Sequence, residues 1–402
     1  MTQNKKTGFR PVVLLSNISH LLAHLFMVIF PTAVLGMEGE FGLGYAELIP
    51  LSLAGYMLFG GGALPAGWLG DRWSGTGMLI VMLLGLGAAA MVTGMASSPV
   101  VLSLGLALLG LSASIYHPVG LAMIVRHSEH KGRDLGVNGI YGSAGLSGGP
   151  LLAGLITDYF GWRSAFMLPG LGALAVGLAY LAHVGLGGLR ENPPEEEKEY
   201  RLPTRRLVPV FLGLMVMTLC SGMIFQLNSV SMPKVFALRL GGVGGMSASE
   251  AGALVSIVFL GASLSPVLGG LMADRFQLRR VYVVLFFLIA PMCLGAAYFG
   301  GWPLFAFVLC VAMLYSSSNP AESALFVHYS PPRWHATALA LKFLMALGAS
   351  SLGVPLVGLI YDRTGDFFWL YALMGALALG AGGISLLLPE ERPQVPAGEA
   401  SP

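Results

Sequence analysis

The chain has 402 residues, of which 55% are hydrophobic and 10% are charged, and its net charge is +2. A soluble protein carries about 25% charged residues, so the composition excludes a soluble fold and predicts an all-α integral membrane protein. The small net charge gives no indication of a nucleic-acid partner.

Apolar runs of membrane-crossing length, about 20 residues for a helix, follow one another along the chain. The run after the basic N-terminus continues without a signal-peptide cleavage site, so it is interpreted as the first membrane helix. The predicted spans of the first half are 11–35, 47–70, 77–96, 99–123, 134–157 and 164–186. Those of the second half are 207–236, 248–273, 280–300, 302–327, 336–360 and 368–388.

These twelve spans predict a division into five parts. They are a cytoplasmic N-terminus (1–10), a six-helix bundle (11–186), a charged and proline-bearing cytoplasmic linker (187–206), a second six-helix bundle (207–388) and a cytoplasmic tail (389–402).

The distribution of Lys and Arg predicts the orientation, because positive residues collect in cytoplasmic loops. With both termini inside, the cytoplasmic segments hold 17 of them and the outer loops hold four. We therefore expect a multi-pass protein of the cell's inner (plasma) membrane.

Two short patterns occur twice. Gly67-Trp68-Leu69-Gly70-Asp71-Arg72 reappears as Gly270-Leu271-Met272-Ala273-Asp274-Arg275, with the aspartates 203 residues apart. The segment from Gly154 to Asp158 reappears from Gly358 to Asp362, 204 residues later. Two markers at nearly the same offset indicate a transporter built from two parallel repeats.

The first pattern, which continues to Gly75, resembles the loop signature of the major facilitator superfamily between helices 2–3 and 8–9. The resemblance implies two pseudo-symmetric six-helix bundles and secondary transport by alternating access. It also implies that the loop residues form charge clamps between the bundles on the cytoplasmic side; the alternative is that they only cap and anchor their loops. The residues concerned are Gly67, Asp71, Arg72, Gly270, Asp274 and Arg275.

A glycine-rich stretch in the fifth span resembles the antiporter signature of the same family. It comprises Gly145, Gly149, Pro150 and Gly154. Small residues allow close helix approach and proline allows a kink, so plain helix packing is the alternative interpretation. A further sequence, Ile115-Tyr116-His117-Pro118 together with Ser19-His20, resembles the fosmidomycin-resistance branch, which implies a drug or small-molecule exporter.

Ionisable groups inside a membrane are costly and are functional candidates by default. We predict that His20, His24, His117 and Glu322 couple protons, since histidine changes charge near neutral pH. The alternative interpretation of Glu322 is that it forms a structural ion pair with Lys342. In the superfamily, helices 1, 4, 7 and 10 line the cavity. The full predicted set of proton-coupling and cavity residues is His20, His24, His117, Glu322, Lys342, Asn228, Asn319, Gln226 and Asn138.

The leading hypothesis is therefore proton-coupled efflux of a small organic molecule by a monomer in the lipid bilayer. One alternative is a carrier of a transition metal or metal chelate that uses His20, His24 and His117, since imidazole binds such metals. Another is a membrane sensor that retains the carrier fold without transport. No nucleophile–base pattern or ATP-binding Gly-x-x-x-x-Gly-Lys motif occurs, so we expect neither an enzyme nor a cofactor.

Overall fold

The computed structural model describes residues 11–128, 130–185, 208–242, 245–330 and 335–389. Within these ranges the chain is helical and contains no strand. The predicted N-terminus (1–10), the linker (187–206) and residues 390–402 of the predicted tail lie outside the described residues.

The helices group into consecutive segments that we name α1 to α12. In the first half these are α1 Pro11–Gly36, α2 Tyr45–Gly61 with Ala63–Arg72, α3 Gly75–Gly94, α4 Pro99–His127, α5 Lys131–Phe160 and α6 Trp162–Val184. In the second half they are α7 Val208–Arg239, α8 Ala248–Arg275, α9 Leu278–Tyr298, α10 Gly301–Tyr329, α11 Ala338–Thr364 and α12 Phe368–Ser385.

Hydropathy accounts for most of these segments as membrane spans. In the described part of the chain, ten helices are long and apolar enough to cross a membrane, and α2 is an eleventh when its two parts, bent by 41°, count as one. The remaining long helix, α5, has 30 residues but is rich in glycine. The predicted multi-pass helical fold is confirmed, whereas the count of twelve crossings stays a prediction.

Each half forms a bundle, and several helix pairs join the two halves. α5 packs on α1 within the first half and on α8 of the second half, while α2 packs on α11 and α1 on α7. The tightest approaches occur where glycine leaves room for a facing backbone. A Cβ at Gly154 would overlap the carbonyl oxygen of Ala248, and one at Gly252 would overlap that of Pro150.

We name the two ends of the molecule by their residues. The Glu38 end holds Glu38, Asp158, Lys234 and Asp366, and the Asp71 end holds Asp71, Arg126 and Arg275. At the Glu38 end the Asp158 carboxylate accepts hydrogen bonds from the N–H groups of Ala248 (3.1 Å) and Ser249 (2.8 Å). Because these amides begin α8, a negative charge at that point is also favoured by the helix dipole.

A second contact closes the Glu38 end between α2 and α11. Glu38 pairs with Lys234 of α7. The Lys234 ammonium lies 5.4 Å from the ring centroids of both Tyr45 and Tyr361. Tyr45 also packs edge-on against Tyr361, with centroids 5.3 Å apart. Charge and aromatic packing therefore hold the halves together at this end.

Arg239 anchors the second half at the same end. Its guanidinium donates to both carboxylate oxygens of Asp366 (2.8 and 2.7 Å) and to the carbonyl of Ala296 (2.8 Å). Burial raises the pKa of the Asp366 carboxyl, but the hydrogen bonds from Arg239 and from the Phe367 N–H outweigh burial, so the pKa is lowered overall.

We expect Gly154→Ala to lower the unfolding temperature of the purified protein, because the added methyl group forces α5 and α8 apart. Such overpacking costs about 1–3 kcal/mol. Gly148→Ala is the matched control, since a Cβ at Gly148 on the same helix meets nothing within 4 Å. Equal unfolding temperatures for the two variants would show that the seam tolerates the methyl group.

We expect the stabilising effect of Asp366 to depend on pH. Because its folded-state pKa is lowered, the ionised carboxylate stabilises the folded protein above its ordinary pKa of about 3.9, and this contribution is lost as the pH falls through the folded-state pKa. The gap in unfolding temperature between the wild type and Asp366→Asn should be constant at neutral pH and shrink below about pH 4. A gap that persists in acid contradicts the assignment.

Candidate functional site

Three histidines of the first half form one cluster. The ring centroids of His20 and His24 on α1 are 4.9 Å apart, and the ring of His117 on α4 lies 5.9 Å from His20 and 5.5 Å from His24. The four-residue spacing on α1 puts His20 and His24 on one face, and α4 brings the third imidazole to that face. The structure thus brings these three predicted residues together.

Asn138 of α5 fixes the cluster. Its Nδ2 donates to Asn17 Oδ1 (2.9 Å), and its Oδ1 accepts from the Tyr116 hydroxyl (2.5 Å). Its carbonyl accepts from His20 Nδ1 (2.9 Å). The Tyr116 ring stacks on His20 with centroids 4.2 Å apart. Asn138 is 1% exposed, so it lies inside the protein as predicted. There it holds the histidine cluster in place.

His117 lies where the two halves meet. It belongs to a π-helical turn, Tyr116–Gly120, which contains Pro118, a residue without an N–H to donate to the helix. On one side its ring stacks on Phe343 of α11, with centroids 5.7 Å apart and planes at 15°. Its buried Nε2 has no hydrogen-bond partner in the described part of the protein, and such a group is costly unless it gains one.

The histidines do not form a metal site in this conformation. Among the residues that the structure describes, no group of three His, Cys, Asp or Glu side chains is arranged to hold a metal ion.

Glu322 and Lys342 form a separate buried cluster in the second half. Lys342 Nζ lies 3.9 Å from Glu322 Oε2, and the two side chains are 5% and 1% exposed. Glu322 Oε1 accepts from Thr218 Oγ1 (2.5 Å) and Ser221 Oγ (3.2 Å) of α7. Lys342 also donates to Ser323 Oγ (2.8 Å). The ion pair that was the alternative interpretation of Glu322 is therefore present.

A cavity of about 190 Å³ lies between α5 and the second half. Its lining consists of apolar, hydroxyl and amide side chains. The lining residues are Ser143, Leu146, Ile224, Phe225, Asn228, Ser229, Phe259, Ala262, Ser263, Pro266, Val311, Ala312, Tyr315, Ser316 and Asn319. We expected histidines, Glu322 and the asparagines in one chamber. Of the predicted set, only Asn228 and Asn319 line this cavity.

Gln226 lies elsewhere on α7. It is 4% exposed, and its Nε2 has no partner within the described residues.

Among the described residues, the loop signature at the Asp71 end does not bridge the halves in this conformation. Asp71 pairs with Arg126 of α4, in the same half, at 3.3 Å. The Arg72 guanidinium lies 4.4 Å from the ring centroid of Trp68, and Asp274 and Arg275 are exposed. A Cβ at Gly67 would lie 3.1 Å from Pro118, while nothing lies within 4 Å of one at Gly270. An inter-bundle clamp stays a prediction for another conformation.

The glycine-rich stretch of α5 serves as a contact surface on two sides. A Cβ at Gly145 would overlap the Leu21 carbonyl of α1, and one at Gly149 would overlap Val28. Gly154 and Pro150 face α8 instead, as described for the seam between the halves. α5 therefore touches the first-half core and the second half along one helix.

Sequence reasoning missed several residues of these sites. Phe343 and Tyr315 gave no signal, because an aromatic residue in an apolar helix is ordinary. Asp158 did carry a signal as part of the duplicated Gly-to-Asp pattern, yet its contact with the start of α8 depends on how the halves dock.

The bundle of apolar helices, with its buried polar clusters and the cavity between its halves, defines a multi-pass membrane transporter. Residues 17–244 and 214–402 match the Major Facilitator Superfamily, and the chain belongs to that family. Both the family and its structural neighbours are transporters rather than enzymes.

Two relatives carry resistance in their names. The Multidrug resistance protein B homolog of Mycobacterium tuberculosis is 26% identical over 183 residues, which cover 45% of this chain and 33% of that protein. The chain therefore matches only a third of its length. The Methyl viologen resistance protein SmvA of Salmonella typhimurium is 23% identical over 418 residues, covering 88% of this chain and 80% of that protein.

A solved structure shares the fold. The bacterial homolog of the human lysosomal transporter Spinster, in an inward-facing and occupied conformation, superposes with a TM-score of 0.74 at 17% identity, over 95% of this chain and 97% of that chain.

We expect Lys342→Met to lower stability by about 3–5 kcal/mol, because it leaves Glu322 buried without its counter-charge. The double variant Glu322→Gln with Lys342→Met should recover most of that loss, since it removes both charges. Thermal unfolding of the two single variants and the double variant measures the coupling. If the double variant is as unstable as Lys342→Met alone, the two groups do not act as an ion pair.

Proposed function

We propose that this chain is a proton-coupled exporter of small organic molecules, in which the His20–His24–His117 cluster carries the proton. The observation that supports this most is the packing of His117 against Phe343, because it joins a titratable cluster to the interface that must open. The resistance named in two relatives favours export.

A positive charge on the histidine cluster destabilises the conformation in which the cluster is buried. Imidazoles with centroids 4.9–5.9 Å apart repel one another when more than one is protonated. An imidazolium over the Phe343 ring gains about 0.5–2 kcal/mol from the ring, whereas an unpaired buried charge costs several kcal/mol. The cost is larger, so protonation favours a state in which α4 and α11 separate and water reaches the cluster.

The orientation of the chain in the membrane sets the direction of transport that this proton coupling would drive. With both termini in the cytoplasm, as the Lys and Arg distribution predicts, the Glu38 end faces outward and is closed in the present conformation. Protons entering from outside then drive the exchange of cargo against protons across the inner membrane. The described residues hold no group of three side chains suited to bind a metal ion, which favours a proton over a metal at this cluster.

The test is transport in proteoliposomes with an imposed pH gradient. A pH-sensitive dye trapped inside reports proton movement on addition of neutral aryl amides, aryl carboxylates or methyl viologen. The wild type should release protons on addition of at least one compound class, and a gradient should accelerate its flux.

We expect His117→Gln and His24→Gln to reduce gradient-driven flux about tenfold or more while exchange without a gradient continues, because the titratable group is lost but the fold is kept. His183→Gln, which changes an exposed imidazole outside the cluster, is the matched control. Gradient-driven flux that survives both cluster variants contradicts the assignment of the proton to these histidines. Failure of every compound with folded wild-type protein contradicts the transport proposal itself and favours the sensor alternative.

A further inference from the structure

The two repeats carry different chemistry at matching positions. Asn228 lies 204 residues after His24, and Asn319 lies 202 residues after His117, with Pro118 and Pro320 directly after the second pair. Where the first half has imidazoles, the second half has amides, and both amides line the 190 Å³ cavity. An amide keeps zero charge at any physiological pH.

The cavity lining is uncharged throughout. Among its described lining residues there is no Asp, Glu, Lys, Arg or His, and the ion pair of Glu322 and Lys342 is not part of the lining. A charged ligand would lose its hydration without gaining a counter-ion, which is strongly unfavourable in a buried site. The lining therefore selects against both anions and cations.

One wall of the cavity is aromatic. Phe225 and Tyr315 stack with centroids 5.4 Å apart and planes at 20°, and both residues line the cavity. Aromatic ligands pack well against aromatic side chains.

Two residues of the cavity lining carry unmet hydrogen-bonding groups. Asn228 is 4% exposed, and its Nδ2 contacts the Met232 sulfur at 3.7 Å. Its Oδ1 and the neighbouring Ser229 Oγ have no partner within the described residues. Buried polar groups are normally satisfied, so a ligand with an N–H or O–H donor would supply what Asn228 lacks.

The volume of the cavity suits a small ligand. A cavity of about 150 Å³ admits benzene, and drug-sized ligands occupy about 300–1,000 Å³. At about 190 Å³, this cavity has room for one substituted ring.

We infer that the cavity binds an uncharged, single-ring aromatic molecule with a hydrogen-bond donor, which packs on the Phe225–Tyr315 pair and donates to Asn228 Oδ1. As a statement about cargo, this rests on the proposed export function; as a statement about binding, it stands on the cavity alone.

Four probes of nearly equal shape separate charge from hydrogen bonding. Benzamide is neutral and has a donor, acetophenone is neutral without one, benzoate is an anion and benzamidine is a cation. Calorimetric titration of the full chain in lipid nanodiscs should show benzamide binding at least about tenfold tighter than benzoate and benzamidine, and several-fold tighter than acetophenone. Equal or tighter binding of either ion overturns the inference.

Substitutions in the cavity lining test whether benzamide binds there. Asn228→Leu, of similar size, should weaken benzamide about tenfold and leave acetophenone nearly unchanged, and Ser229→Ala should weaken benzamide less. The control is Thr93→Val, a similar polar-to-apolar change at a buried α3 site whose hydroxyl bonds its own helix. If Asn228→Leu does not fold, the wild-type probe ranking and Ser229→Ala still decide. Benzamide binding that is unaffected by both cavity variants places it elsewhere and overturns the inference.

The transport assay shows whether the binding inference or the export proposal has failed. If benzamide binds selectively but no compound shows gradient-driven flux, the binding site is supported and the export proposal is contradicted. If methyl viologen or an aryl carboxylate shows gradient-driven flux and benzamide does not bind, the export proposal is supported and the uncharged cargo is contradicted.

Discussion

The close contact between α5 and α8 is the constraint on which the rest of this molecule depends. Glycine at 154 and at 252 lets two backbones touch, and this contact fixes how the halves dock. The same helix, α5, supports the histidine cluster through Asn138 and contributes Ser143 to the cavity. One helix therefore relates the interface, the titratable groups and the binding volume to one another.

The buried polar groups lie in separate places rather than in one common chamber. The first half places three imidazoles at the interface, the second half buries a compensated Glu–Lys pair, and the cavity between them is lined by neutral groups. In the proposed mechanism, such a division means that a proton would act on the docking of the halves and not on the lining of the cavity.

The sequence predicted the helical membrane fold well because hydropathy is a property of each segment alone. The predicted span 99–123 and the observed α4, Pro99–His127, differ only at one end. The meeting of His20, His24 and His117 was also predictable, from helix periodicity and the family's cavity-lining helices. The separation of Glu322 from that cluster was not, because it depends on which face of α10 turns toward α7. The partner of Asp71 was unpredictable for the same reason, since it depends on the conformation that the two halves adopt.

The bond made by Asp158 has a consequence for sequence variation. Its carboxylate accepts hydrogen bonds from the main-chain amides at positions 248 and 249, and the hydroxyls of Ser247 and Ser249 add to them. Proline at either position lacks the amide hydrogen and would remove one bond of this latch. Ala248 is 5% exposed, so a larger side chain there would also have to displace its neighbours.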